Sequence, residues 1–157
     1  MKIDQESWDP TWEKIFQSQE WGRYPPEELV RFIARNYYKI KDRKQVRILD
    51  LGCGTGAATW FIAREGFSAF GIEGSETAVK IAKDRFKQEG LEGEFRIGDF
   101  INLNCYPDAY FDCVIDIDAL QHNKIENVKK ILDEVFRILK PNGKIFSIIV
   151  NNRTRLN

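Results

Sequence analysis

The sequence predicts a three-layer α/β sandwich built on a mostly parallel sheet, and three observations carry that prediction. From residue 46 onward, short apolar runs alternate with stretches of helical periodicity. Three of the four gaps between runs hold one crossover helix, which favours parallel pairing with right-handed connections and helices on both faces. The first run stops on alternating glycines, Gly52-Cys53-Gly54-Thr55-Gly56, where a strand can turn tightly into a helix. A chain of 157 residues suffices for one continuous core.

The elements follow in order. Residues 1–44 read as an aromatic leader and helix, and residues 45–157 as the sheet-forming core. Three of the four tryptophans, Trp8, Trp12 and Trp21, fall in the leader. Pro25-Pro26 opens its helix, because proline tolerates the first turn. Leu29, Val30, Ile33, Tyr37 and Ile40 then recur at helical spacing. Residues 46–51 form the first strand. Residues 57–64 continue as a helix with Gly66 as its stop. Residues 68–72 form a second strand. Ser75 caps the helix that ends at Gly90. Residues 94–97 and 111–117 form the third and fourth strands. Asn123 with Glu126 three residues on reads as a capping box. The helix behind it is expected to bury Ile125, Val128, Leu132, Val135 and Leu139. Lys140-Pro-Asn-Gly-Lys144 reads as a turn and residues 145–150 as a fifth strand.

Composition narrows the partners. Twenty-four basic residues balance twenty-four acidic ones, so no standing attraction to nucleic acid or an anionic membrane is expected. The first residues lack the apolar run of a signal peptide, and no stretch approaches the ~20 apolar residues that span a bilayer. Cys53, Cys105 and Cys113 show no CxxC spacing, which fits reduced thiols in the cytoplasm. One histidine and no ligand pair give no metal site.

In a doubly wound sheet, ligands bind beyond the carboxyl ends of the strands. Three groups fall on that edge. The glycine loop offers bare backbone to a ligand, with a tight turn that holds no ligand as the alternative. A dinucleotide fingerprint has one more residue before its third glycine. Glu73 ends the second strand, where a carboxylate can accept both hydroxyls of a ribose. Asp99, in Gly98-Asp99-Phe100, either accepts an adenine amino group beside the Phe100 ring or simply forms a turn. Asp50 precedes the loop and can face a cation.

Together these motifs resemble the class I methyltransferase superfamily. Ile48-Leu-Asp-Leu-Gly-Cys-Gly-Thr-Gly56 is similar to its first motif, Gly71-Ile-Glu-Gly-Ser75 to the second and Gly98-Asp99-Phe100 to the adenine-side motif. Phe111-Asp-Cys-Val-Ile-Asp116, running on to His122, resembles the fourth. The turn at Leu139-Lys-Pro-Asn-Gly143 precedes the fifth strand as in that family, so the resemblance spans residues 45–150. It implies a Rossmann-like fold and S-adenosylmethionine as cofactor, with S-adenosylhomocysteine as product. It also implies roles. Gly52, Gly54 and Gly56 would pack on the cofactor's amino-acid and ribose part, with Asp50 near its ammonium or sulfonium. Glu73, with Gly74 and Ser75 beside it, would hold the ribose. Asp99 and Phe100 would read the adenine, and Asp116 and its neighbours would floor the methyl position. Trp21-Gly-Arg-Tyr-Pro-Pro26 is similar to a segment that closes over the cofactor in small-molecule methyltransferases. There Trp12, Trp21 and Tyr24 would form a cover and Arg23 would meet the cofactor carboxylate.

The implied activity is in-line methyl transfer to a small-molecule acceptor, which needs alignment more than acid–base catalysis. No triad or paired-carboxylate arrangement is present, and His122 is the one candidate base or substrate contact. The alternative is a cofactor-binding module or inactive fragment that pairs with another chain. The family's antiparallel sixth and seventh strands find no counterpart here. That leaves the fifth strand an apolar edge suited to a homodimer.

Overall fold

The computed structural model describes residues 7–150. The opening six residues, read above for a signal sequence, and residues 151–157 lie outside the described residues.

Two leader helices come first, α1 (Thr11–Ser18) and α2 (Glu27–Tyr37). The core then runs β1 (Arg47–Leu51), α3 (Ala57–Arg64), β2 (Ser68–Glu73), α4 (Glu76–Glu89), β3 (Glu94–Ile97), β4 (Phe111–Ile117), α5 (Ile125–Ile138) and β5 (Leu139–Ile148). All pairings are parallel, in the order β3-β2-β1-β4-β5. The central strand is the one that feeds the glycine loop. The chain leaves β1 toward β2 and β3 on one side and returns to β4 on the other, so the strand order reverses beside that loop.

Alternation along the strands builds the three layers. Leu49, Leu51 and Val114 point to one face, where Ile131, Val135 and Ile138 of α5 cover them. Ile48, Cys113 and Ile115 point to the other, packed with Leu29, Ile33 and Tyr37 of α2 and Phe61 and Ile62 of α3. Each such aliphatic side chain contributes roughly 1.5–3 kcal/mol on burial. The leader's second helix therefore shares the core of the sheet. Ser75 caps α4 by accepting from Ala78 N–H at 3.0 Å, and Gly90 ends that helix at φ 65°.

Four expectations need correction. Helix α1 was not read from the sequence. The capping box does not form: Lys124 holds the cap position, and the Asn123 amide instead donates to the carbonyls of Ala119 and Leu120. The buried stripe of α5 is Ile131, Val135 and Ile138, while Ile125 is 63% exposed and Leu139 belongs to β5. Finally, β5 begins earlier than residue 145. Leu139 pairs with Phe111, the chain bulges through Asn142 at φ 65°, and pairing resumes at Lys144 opposite Cys113.

Candidate functional site

The carboxyl ends of β1, β2 and β4 open into a cavity of about 400 Å³ covered by the leader. Its floor is the glycine loop. Gly52, Gly54 and Gly56 all adopt positive φ (63°, 50° and 85°), a region that favours glycine. Their surroundings differ. A side chain on Gly52 would sit 2.6 Å from Ala119 Cβ, so this glycine admits the loop after β4. One on Gly54 would reach into the cavity and touch only the Phe16 ring, at 3.4 Å. One on Gly56 would press on Ala82 at 3.0 Å, so Gly56 serves the packing of α3 on α4 and does not line the cavity.

Glu73 stands at one end. It is 6% exposed; one carboxylate oxygen accepts from Gly54 N–H and the other from Ser75 N–H, both at 3.0 Å. Burial raises its pKa against those hydrogen bonds. Asp50, also lining the cavity, is 3% exposed and accepts from the Thr59 hydroxyl at 2.9 Å. Burial pushes its carboxyl up to about 7; the Thr59 hydrogen bond opposes this, and the charges of Asp116 and Glu73 add to it.

Other residues singled out in the sequence take structural partners. Asp116 is fully buried and pins the loop after β4, accepting from Ala119 N–H, Leu120 N–H and the Ser147 hydroxyl at 3.0, 2.9 and 2.6 Å. Its neighbours Ile117, Asp118 and Ala119 line the cavity in its stead. Asp99 holds the leader. It accepts from Ser7 N–H at 2.7 Å, Trp8 N–H at 3.0 Å, Ile101 N–H at 3.1 Å and the Ser7 hydroxyl. Those four donors fill the roughly four acceptor positions of a carboxylate. Phe100 does line the cavity. Gly74 faces the Trp8 indole, whose Nε1 would be 2.2 Å from a Cβ there. Ser75 and Thr77 donate their hydroxyls to Glu13 of α1, clamping the leader to the start of α4.

The cover is aromatic. Trp12 meets Trp21 edge-on at 6.1 Å and His122 at 5.0 Å, and Phe16 meets Trp21 at 5.4 Å. Trp12, Trp21, Tyr24 and His122 all line the cavity. Arg23 does not. It lines a second cavity beside Thr55 and Arg85, and its carbonyl accepts from the Arg85 guanidinium at 2.6 Å. Sequence reasoning placed Asp118 only among the neighbours of Asp116, and missed Ser7, Trp8, Glu13 and Phe16, whose place in the leader carried no usable signal.

Residues 48–143, more than half of the chain, match the family described as a methyltransferase domain. The chain belongs to the class I methyltransferases. Among this methyltransferase's relatives, norajmaline N-methyltransferase of Rauvolfia serpentina is 34% identical over 76% of this chain and 40% of that protein. Ubiquinone biosynthesis O-methyltransferase of Maricaulis maris is 30% identical over 70% of this chain and 42% of that protein. The PH0226 protein of Pyrococcus horikoshii OT3 superposes with a TM-score of 0.69 at 29% identity, over 93% of this chain and 61% of that one. A SAM-dependent methyltransferase of Methanosarcina mazei gives 0.62 at 28% identity, over 66% of this chain and 52% of that one. The chain spans about 40% of the length of the two curated relatives named here.

The family's cofactor is S-adenosylmethionine, and the residues present fit most of it. Glu73 offers a buried carboxylate at one end of the cavity, and Gly54 leaves open backbone beside it. Two departures concern its extremities. Asp99 has no acceptor position left while Ser7 and Trp8 are docked, and among the described residues neither lysine nor arginine lines the cavity to meet a carboxylate.

Proposed function

We propose that this methyltransferase domain binds S-adenosylmethionine across Glu73 and the glycine loop and carries its methyl group in line to a small-molecule acceptor. The carrying observation is that Glu73 bridges Gly54 N–H and Ser75 N–H at the head of a cavity which continues under aromatic cover. When bound, the cofactor supplies a methyl group already activated on a sulfonium. The work left to this chain is to orient the acceptor and exclude water, and Trp12, Trp21 and Tyr24 are placed to do both. His122 faces the same space from the β4 side and is a residue available to touch an acceptor.

Small-molecule chemistry is supported by the enclosed chamber and by the activities named for the relatives, an N-methyltransferase and an O-methyltransferase. A cytoplasmic setting accords with three free cysteines, two of them buried. Among the described residues no helix is long and apolar enough to cross a membrane. Pairing of two copies along β5 belongs to the same proposal, since that strand is an edge of the sheet.

Calorimetric titration with S-adenosylhomocysteine tests the cofactor reading. Binding in the micromolar range is expected, weakened at least about tenfold in Glu73→Gln and in Gly54→Ala. A folded chain that binds no S-adenosylhomocysteine, or variants that bind it unchanged, overturns it.

A further inference from the structure

The sign of the charge in the cavity points past the cofactor to the acceptor. Among the described residues every formally charged side chain lining it is acidic: Asp9, Asp50, Glu73 and Asp118. Three of these have partners. Asp9, at the exposed rim, accepts from Thr11 N–H at 2.8 Å. Asp50 is held by the Thr59 hydroxyl, and Glu73 by two backbone amides. Asp118 stands apart. Its Oδ1 is buried and has no hydrogen-bond partner, a costly state for a carboxylate oxygen. It also sits at φ 60°, in the left-handed region that few non-glycine residues adopt and that collects at functional sites. The backbone there is fixed, because Asp118 N–H donates to Ile148 O of β5 at 3.0 Å.

Position separates Asp118 from the cofactor's nucleoside end. Glu73 ends β2 and Asp118 follows β4, with β1 and its glycine loop between them. Two strand spacings put them roughly 10 Å apart along the cavity. The same cavity is walled by Trp12, Trp21 and His122, joined by the ring contacts at 6.1 and 5.0 Å, and His122 lies four residues beyond Asp118. A carboxylate in a cavity walled by indoles, with no lysine or arginine among its described lining residues, is a receptor for a cationic nitrogen.

Resting on the methyltransferase reading above, we propose that the acceptor carries a basic nitrogen, bound as a cation between Asp118 and the indoles of Trp12 and Trp21. The class concerns the head group recognised, whichever atom of the acceptor receives the methyl group. Acceptors with a carboxylate in that place are excluded by the same field.

The test uses three probes of one shape and different charge: phenethylamine, phenethyl alcohol and 3-phenylpropionate. Each is titrated by tryptophan fluorescence into the chain, with and without saturating S-adenosylhomocysteine. The amine is expected to bind about tenfold tighter than the alcohol, and the propionate weakest. Asp118→Asn keeps the side-chain shape and tolerates the left-handed backbone well, so the variant folds. In it the preference for the amine collapses to within about twofold, while affinity for S-adenosylhomocysteine stays within about threefold. Equal binding of amine and alcohol by the unmodified chain overturns the proposal, as does a preference that survives Asp118→Asn. A tenfold loss of S-adenosylhomocysteine affinity in the variant also overturns it, by assigning Asp118 to the cofactor's own ammonium. Failure of the unmodified chain to bind S-adenosylhomocysteine sinks the methyltransferase reading alone; the amine preference is then still read on the ligand-free chain.

Discussion

Asp50 shows what the cavity costs at the scale of one residue. Its carboxyl, ordinarily at 3.8, is pushed up to about 7, first by burial and further by the charges of Asp116 and Glu73. Below pH 3.8 it is protonated whether the chain is folded or unfolded, and contributes nothing to the balance. Between the two values the folded state holds a proton that the unfolded state has released, so stability falls as pH rises, until the folded carboxyl ionises near 7. Asp50→Asn removes the charge and keeps an acceptor for Thr59. Urea unfolding should find this variant gaining on the unmodified protein by about 2 kcal/mol between pH 5 and pH 8. A difference independent of pH would show that Asp50 is not the titrating group. At this scale the sequence was half legible. Glu73 and Gly54 stood out because strand ends fix where they lie. The partners of Asp99 and Asp116 did not, because a carboxylate takes whichever donors the folded loops bring to it. Ser7 reaches Asp99 across 92 positions.

At the scale of elements, the leader helix α1 is held mainly by one side chain. Glu13 accepts from the hydroxyls of Ser75 and Thr77 at the start of α4, while Phe16 is the one buried residue of α1. Hydrogen bonds to a charged group contribute about 1.5–3 kcal/mol where they are sheltered. Glu13→Ala should therefore free α1 without unfolding the sheet. The measurement is amide exchange: α1 is expected to exchange at least about tenfold faster, with β1 and β4 unchanged. Unchanged exchange in α1 would mean that its aromatic contacts alone hold it. The same weakness explains why α1 was not legible. Trp12, Ile15 and Phe16 do fall at i, i+3 and i+4, but eight residues hold only this one repeat, short of the roughly 11–18-residue window on which a periodic reading rests. The long α5 was legible as a helix but not in its facing. Leu139 extends the apolar pattern one step beyond the helix, into a strand residue that pairs with Phe111. The strands β1 to β4 were read nearly to the residue, because β1, β2 and β4 are short apolar runs closed by glycine, an acid or a turn, and β3 stops at the Gly98-Asp99 turn.

The whole molecule poses a question of edges. Strand alternation and the glycine loop made the parallel sheet legible, but the consequences of its order, β3-β2-β1-β4-β5, appear only once it is assembled. The two edges differ. β3 has four residues and presents Glu94 and Arg96, paired at 2.7 Å, which is how sheets guard an edge. β5 is longer, and beside it lie the exposed apolar side chains of Ile145, Ile149 and Val150. A strand with unpaired backbone groups and apolar neighbours recruits another strand, and a second copy of the chain offers an identical one. Sedimentation velocity over a range of protein concentrations should show reversible self-association of the 157-residue chain. Ile149→Lys combined with Val150→Lys should suppress it, since charge beside an edge opposes pairing and both side chains are more than half exposed. Cofactor binding at Glu73, three strands away, should be the same in both. A chain that stays monomeric at every concentration, or a double variant that associates equally well, would remove β5 as the interface.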